Sequence, residues 1–132
     1  IRPLLESEVT FKVTVEQEDD IPVRGNAMAS GDDALDKQAE DQILSELDAG
    51  NIEAWCCITV KATWEGITGT DHLGACSHLP GDDRPSLAKQ VEQTIEDHGM
   101  RANALADLNT EVQRQAERGL ALIDRLKVTR KR

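Results

Sequence analysis

The sequence predicts an α+β fold: a single domain over residues 1–132, with a small, mainly antiparallel sheet of about three strands packed against helices in the order β-α-β-β-α-α. Three observations lead there. Residues 9–15 and 52–64 alternate apolar and other side chains with period two, as half-buried strands do. Segments beginning near residues 32, 87 and 105 instead repeat their apolar residues every three or four positions, as amphipathic helices do. A chain of 132 residues is long enough to bury one core and too short for two ordinary ones.

In the first strand Val9, Phe11, Val13 and Val15 form one face, with Thr10, Lys12 and Thr14 between them. A loop follows in "DDIPVRGNAMASGDD", marked by Pro22, Gly25 and Gly31 and longer than most connections. Ser30 with Asp33 resembles a capping box, so a helix should start near Gly31 or Asp32. Leu35, Ala39, Ile43, Leu44 and Leu47 form its apolar stripe, and Gly50 followed by Asn51 stops it. Its opposite face carries Lys37, Glu40, Asp41, Glu46 and Asp48.

Period two returns at Ile52, placing Ala54, Cys56, Ile58, Val60, Ala62 and Trp64 on one face and Trp55, Cys57, Thr59 and Lys61 on the other. "EGITG" then supplies two glycines for a hairpin, and "TDHLGACSH" pairs back as a shorter third strand. Beyond the loop "LPGDDRPS", Leu87, Val91 and Ile95 define a helix ended by Gly99. A long basic helix over about residues 100–128 carries Leu105, Leu108, Val112, Ala116, Leu120, Ile123 and Leu126, with Gly119 as a point of loosening and "KVTRKR" as a fraying end.

With one Phe, two Trp and no Tyr, the core must be aliphatic. No segment reaches the roughly 18 to 20 apolar residues of a spanning helix, and no signal peptide opens the chain, so a cytoplasmic location is expected. An odd number of cysteines without a secretory signal argues for reduced thiols. The net charge of −10 is unevenly spread: residues 1–111 hold 23 of the 25 acidic and 8 of the 15 basic groups, giving −15, and residues 112–132 give +5. Such an acidic body repels nucleic acid and anionic membranes and attracts basic protein surfaces.

The densest chemistry lies in "AWCCITVKATWEGITGTDHLGACSH", residues 54–78. Strand alternation puts Cys56 and Cys57 on opposite faces, so the pair is not a zinc half-site. Cys57, His72, Cys76 and His78 are the candidate metal or thiol cluster, although H-x3-C-x-H matches no finger or ribbon pattern. The plainer alternative is a buried Cys56 acting as a small hydrophobe, with exposed histidines nearby. "LGACSH" has no nucleophile elbow, and "RGNAMASGDD" has neither the Walker lysine nor the dinucleotide spacing. The paired aspartates at 19–20, 32–33 and 82–83 lack the spacing of an EF-hand. No enzymatic activity and no cofactor is therefore expected.

"PVRGNAMASGDDALDKQAEDQILSELDAGN" followed by "AWCCITVKATWEGITGTDHLGACS" resembles small acidic proteins of bacterial phages, prophages and conjugative elements. The resemblance implies a context in which compact inhibitors of host defence are common, among them anti-CRISPR and antirestriction proteins. It carries no functional residue over.

The expected function is a non-enzymatic interaction protein, an acidic nucleic-acid mimic that blocks the basic surface of a nucleic-acid-binding host complex. Asp32, Asp33, Asp36, Glu40 and Asp41 are the expected contacts, with Trp55 either an exposed anchor or packed under the long loop. The alternatives are a small metal- or thiol-dependent domain on the Cys/His cluster, or a homodimer in which the basic helix of one subunit lies on the acidic body of another.

Overall fold

The computed structural model describes residues 2–130, with side chains through Lys127. Three antiparallel strands, β1 (Thr10–Gln17), β2 (Cys56–Trp64) and β3 (Ile67–Cys76), form one sheet in the order β1-β2-β3. With α1 (Asp33–Asp48), α2 (Leu87–Asp97) and α3 (Met100–Arg130) the chain has the expected β-α-β-β-α-α order.

β2 is central because its alternation is the most apolar. Ile58, Val60 and Ala62 are fully buried on one face, and Thr59, Lys61 and Thr63 point to the other. Across the ladder Val15, Val13 and Phe11 stand opposite Ile58, Val60 and Ala62. Glu65 and Gly66, at φ 48° and 77°, close β2 onto β3 as a two-residue turn whose twist matches the strands. β3 is longer than the short third strand expected. The hairpin needs only one of its two glycines, and Gly69 lies within the strand, opposite Ala62.

Gly69 marks where α3 presses on the sheet. A Cβ there would lie 2.1 Å from the Leu108 backbone nitrogen and 2.6 Å from the Ala104 carbonyl oxygen, so only glycine permits the approach. Met100, Ala104 and Leu108 of α3, with Val91 and Ile95 of α2, complete an aliphatic core against Cys56, Ile58, Val60 and Ala62. Ser86 caps α2 by accepting from the Lys89 N–H at 3.2 Å, and Gly99 at φ 59° turns the chain into α3. The N-terminal segment is tied to the same helix: Leu4 N–H donates to Asn109 Oδ1 at 2.8 Å, and Asn109 Nδ2 donates to the Leu4 carbonyl at 3.2 Å.

A second, smaller core gathers Val23, Ile43, Ala54 and Trp55 under α1, where β1 and β3 finish and β2 begins. Here the expectations need correction. Ile52–Ala54 is a 3-10 turn rather than the start of β2, because Asn51 and Ile52 carbonyls accept from the Ala54 and Trp55 N–H groups. Asp32, not Ser30, caps α1, accepting from Ala34 N–H at 3.0 Å and Leu35 N–H at 3.2 Å. Ser30 Oγ is engaged with Asp36 Oδ1 at 2.6 Å. Leu35, assigned to the apolar stripe, is exposed.

α3 continues through Gly119 without a break. Val112 is the last of its side chains packed on the main core, and from Glu117 to Lys127 every side chain is exposed. The end of the basic tail, Lys131 and Arg132, lies outside the described residues.

Candidate interaction surface

The acidic segment of α1 divides into an internal and an external part. Glu40 was expected on the outer face, yet it is only 7% exposed. Its Oε2 accepts from the Gly25 N–H at 2.6 Å and its Oε1 from Arg24 at 3.2 Å, so it holds the long loop onto the helix. Arg24 also binds Asp41, which takes a second cation from Lys37 at 3.1 Å. Arg24, and after it Lys37, hold the Asp41 carboxyl below its usual range. Glu40 and Asp41 are thus largely neutralised within the chain.

Asp32, Asp33 and Asp36 form the external part. Asp32 is spent on the helix cap, Asp33 is exposed, and Asp36 is half-buried beside Ser30. Asp33 and Asp36 line, with Arg24, Met28 and Lys37, an open cleft of about 520 Å³ between the loop and α1. At i and i+3 they share one helix face and project a local negative field. The chain places one carboxylate row here and pairs its C-terminal half internally.

Trp55 is not an exposed anchor. It is 2% exposed, lies among Val23, Ile43 and Ala54, and its indole N–H donates to the Ile21 carbonyl at 2.7 Å. The loop closes over it, which is the second of the two alternatives for this residue. The 3-10 turn ahead of β2 provides the reason, since it turns Trp55 under α1.

Cys57, His72, Cys76 and His78 are not brought together. His72 sits on the exposed sheet face, its Nδ1 2.9 Å from Thr59 Oγ1. Cys76 is in the main core, and Cys57 lies on the opposite face beside Glu18. His78 is buried between the Glu53 carbonyl, 3.1 Å from Nδ1, and Thr94 Oγ1, 2.8 Å from Nε2. A carbonyl only accepts, so Nδ1 carries the proton, while Thr94 Oγ1 stands between Nε2 and the Gln90 carbonyl, 3.1 Å away, with one proton for the two. Among the described residues no three His, Cys, Asp or Glu side chains stand close enough to hold a metal ion.

The thiols are held protonated. Burial pushes Cys56 up to about 12; burial, then the Glu18 carboxylate, pushes Cys57 up to about 11, and Cys76 is raised by burial as well. These are packing cysteines rather than activated nucleophiles.

Two residues that sequence reasoning missed organise this end of the molecule. Arg24 had one visible signal: it is the only basic residue between Lys12 and Lys37, in a loop facing an acidic helix. Glu18 had none, because its 7% exposure depends on an irregularity in β3 that no local pattern announces. No protein family, curated protein or solved structure matches the chain. Among the described residues, no helix is long and apolar enough to cross a membrane.

Proposed function

We propose that this chain is a non-catalytic interaction protein whose acidic surface engages the basic, nucleic-acid-binding surface of another protein. In this reading it acts as a nucleic-acid mimic, of the kind that inhibits a host defence complex in the manner of anti-CRISPR or antirestriction proteins. The supporting observation is the uncompensated charge of the body. Residues 1–111 hold 23 acidic groups against 8 basic ones, and four of those cations, Arg2, Arg24, Lys37 and Arg101, are already engaged in ion pairs. The field that remains outside is negative and attracts a basic partner.

Asp33 and Asp36 are the proposed contacts, because both line the open cleft and neither caps α1; Asp33 is exposed, and Asp36 is half-buried with one oxygen held by Ser30. Glu40 and Asp41 contribute to the shape of the loop instead. The test uses the whole chain as bait in host lysate, beside an Asp33→Lys, Asp36→Lys variant shown to fold by circular dichroism. The expected result is capture of a nucleic-acid-binding protein that competing duplex DNA displaces and the variant fails to hold. Equal capture by the variant, or capture indifferent to competing DNA, would sink the reading.

A further inference from the structure

Two apolar surfaces of this fold are uncovered, and their chemistry is complementary. The first is the outer half of α3. Leu120, Leu122, Ile123 and Leu126 are 61%, 58%, 49% and 56% exposed. Single exposed leucines are ordinary, but four within two turns form a patch, and a helical segment without packing is marginal in water. Ala116, Leu120, Ile123 and Leu126 recur at helical spacing and share one face. Residues 117–127 carry that face roughly 16 Å beyond the last packed turn.

The second surface lies on the helix side of the sheet. α3 covers β3 and β2, and between β1 and α2 a groove of about 310 Å³ stays open. Val13 and Val15 form its floor, Leu87 and the largely buried Val91 and Ile95 its wall, and Glu53 brings a carboxylate to it, while Glu92 is paired with Arg101 at 2.6 Å. Ala88, exposed, lies on the groove as well.

We infer that the outer half of α3 of one copy of this chain docks in the β1–α2 groove of a second copy, giving a reciprocal dimer. Charge selects this occupant. Residues 112–132 carry +5 and the body −15, so Arg118 and Lys127, both exposed, approach an acidic surface as the leucines enter an apolar one. Pairing α3 with α3 would set like charges together. The reciprocal exchange also closes on itself, as a two-fold assembly requires. This inference is independent of the proposed acidic contact at Asp33 and Asp36.

The test is sedimentation equilibrium of the full chain over a micromolar to sub-millimolar range, at low and high salt. Wild type should run as a dimer that loosens as salt rises. Ile123→Glu on the helix and Ala88→Glu in the groove, both at exposed positions, should each weaken dimerisation about tenfold or more with unchanged circular dichroism. A monomer throughout the range overturns the inference, as does a dimer that survives Ile123→Glu. A dimer lost with Ile123→Glu but retained with Ala88→Glu overturns the groove as its seat. A monomer that co-sediments with phosphatidylserine vesicles assigns the helix to a lipid surface instead.

Discussion

Glu18 and Ala75, 57 positions apart, are joined by a hydrogen bond of 2.9 Å from the Ala75 N–H to Glu18 Oε1. Ala75 stands at φ 54°, in the left-handed region that a side chain disfavours, next to an irregularity in the pairing of β2 with β3. The carboxylate also accepts from the Asp20 N–H at 3.2 Å, and the Glu18 N–H donates to the Trp55 carbonyl at 2.9 Å. One side chain thus ties the end of β1, the loop and the end of β3.

This carboxylate should shape the acid limb of stability. The hydrogen bond with Cys57 and then the backbone N–H groups lower its pKa from the usual 4.5, against the opposing effect of burial. A lowered folded pKa means that the stabilisation is present above the unfolded value and is lost as pH falls through the folded one. Glu18→Gln should lower the Tm at pH 7 and flatten its decline below about pH 4.5, the onset set by the unfolded carboxyl. Thermal melts of both proteins across that range check it, and parallel curves would refute it.

Gly69→Ala should be severely destabilising, since the added Cβ meets backbone atoms of α3 at 2.1 and 2.6 Å that no rotamer can move. The helix must lift from β3, and the cost is about 3 kcal/mol or more. Gly119→Ala, with open space around its Cβ position and a helical backbone, should instead stabilise α3 by roughly 0.5–1 kcal/mol. Urea denaturation of the two variants separates a close approach from mere conformational freedom.

His78 makes the opposite kind of pH prediction to a surface histidine. Burial lowers its pKa from the ordinary 6.5, with the Glu53 carbonyl and carboxylate opposing. Because the unfolded chain then binds a proton more readily, stability is full above that value, starts to fall below it and is lost as pH passes the folded pKa. His78→Ala should remove this slope below about pH 6.5 and cost about 2 kcal/mol at pH 8 through the loss of the buried imidazole, although the Glu53 carbonyl keeps the backbone N–H of position 78 and Thr94 keeps the Gln90 carbonyl. Urea titrations at several pH values measure both.

The cysteines should be slow. With Cys57 at about 11, the thiolate is roughly one part in ten thousand at pH 7, against a few per cent for a free thiol. Alkylation by iodoacetamide, followed by intact mass, should run about a hundredfold slower in the native protein than in urea. Rapid native labelling of Cys57 would show that its place beside Glu18 is wrong.

Strands and helices were legible because burial imposes its period on the sequence. Ile58, Val60 and Ala62 are on the face that alternation assigned, and Gly99 ends α2 where expected. The contact residues were less legible. Glu40 shares a helix face with solvent-exposed acids, and only the loop above it decides that Arg24 and Gly25 bury it. Trp55 continues the alternation of β2 on paper, but three residues of 3-10 turn come first, and nothing in Ile52–Ala54 distinguishes that turn from a strand. Pattern reads what each element does to its own residues; it is silent where one element covers another.

A helix made after all three strands closes the first strand's core. All three strands are complete at Cys76, yet the residues that cover their apolar face, Val91 and Ile95 of α2 and Met100, Ala104 and Leu108 of α3, come later, and Leu4 is fastened to Asn109, 105 positions on. During synthesis the sheet therefore emerges with its oily side bare and waits for the ribosome to deliver some thirty more residues. Contacts so distant in sequence make late closure slow, and the growing chain depends on that interval passing without a stray partner.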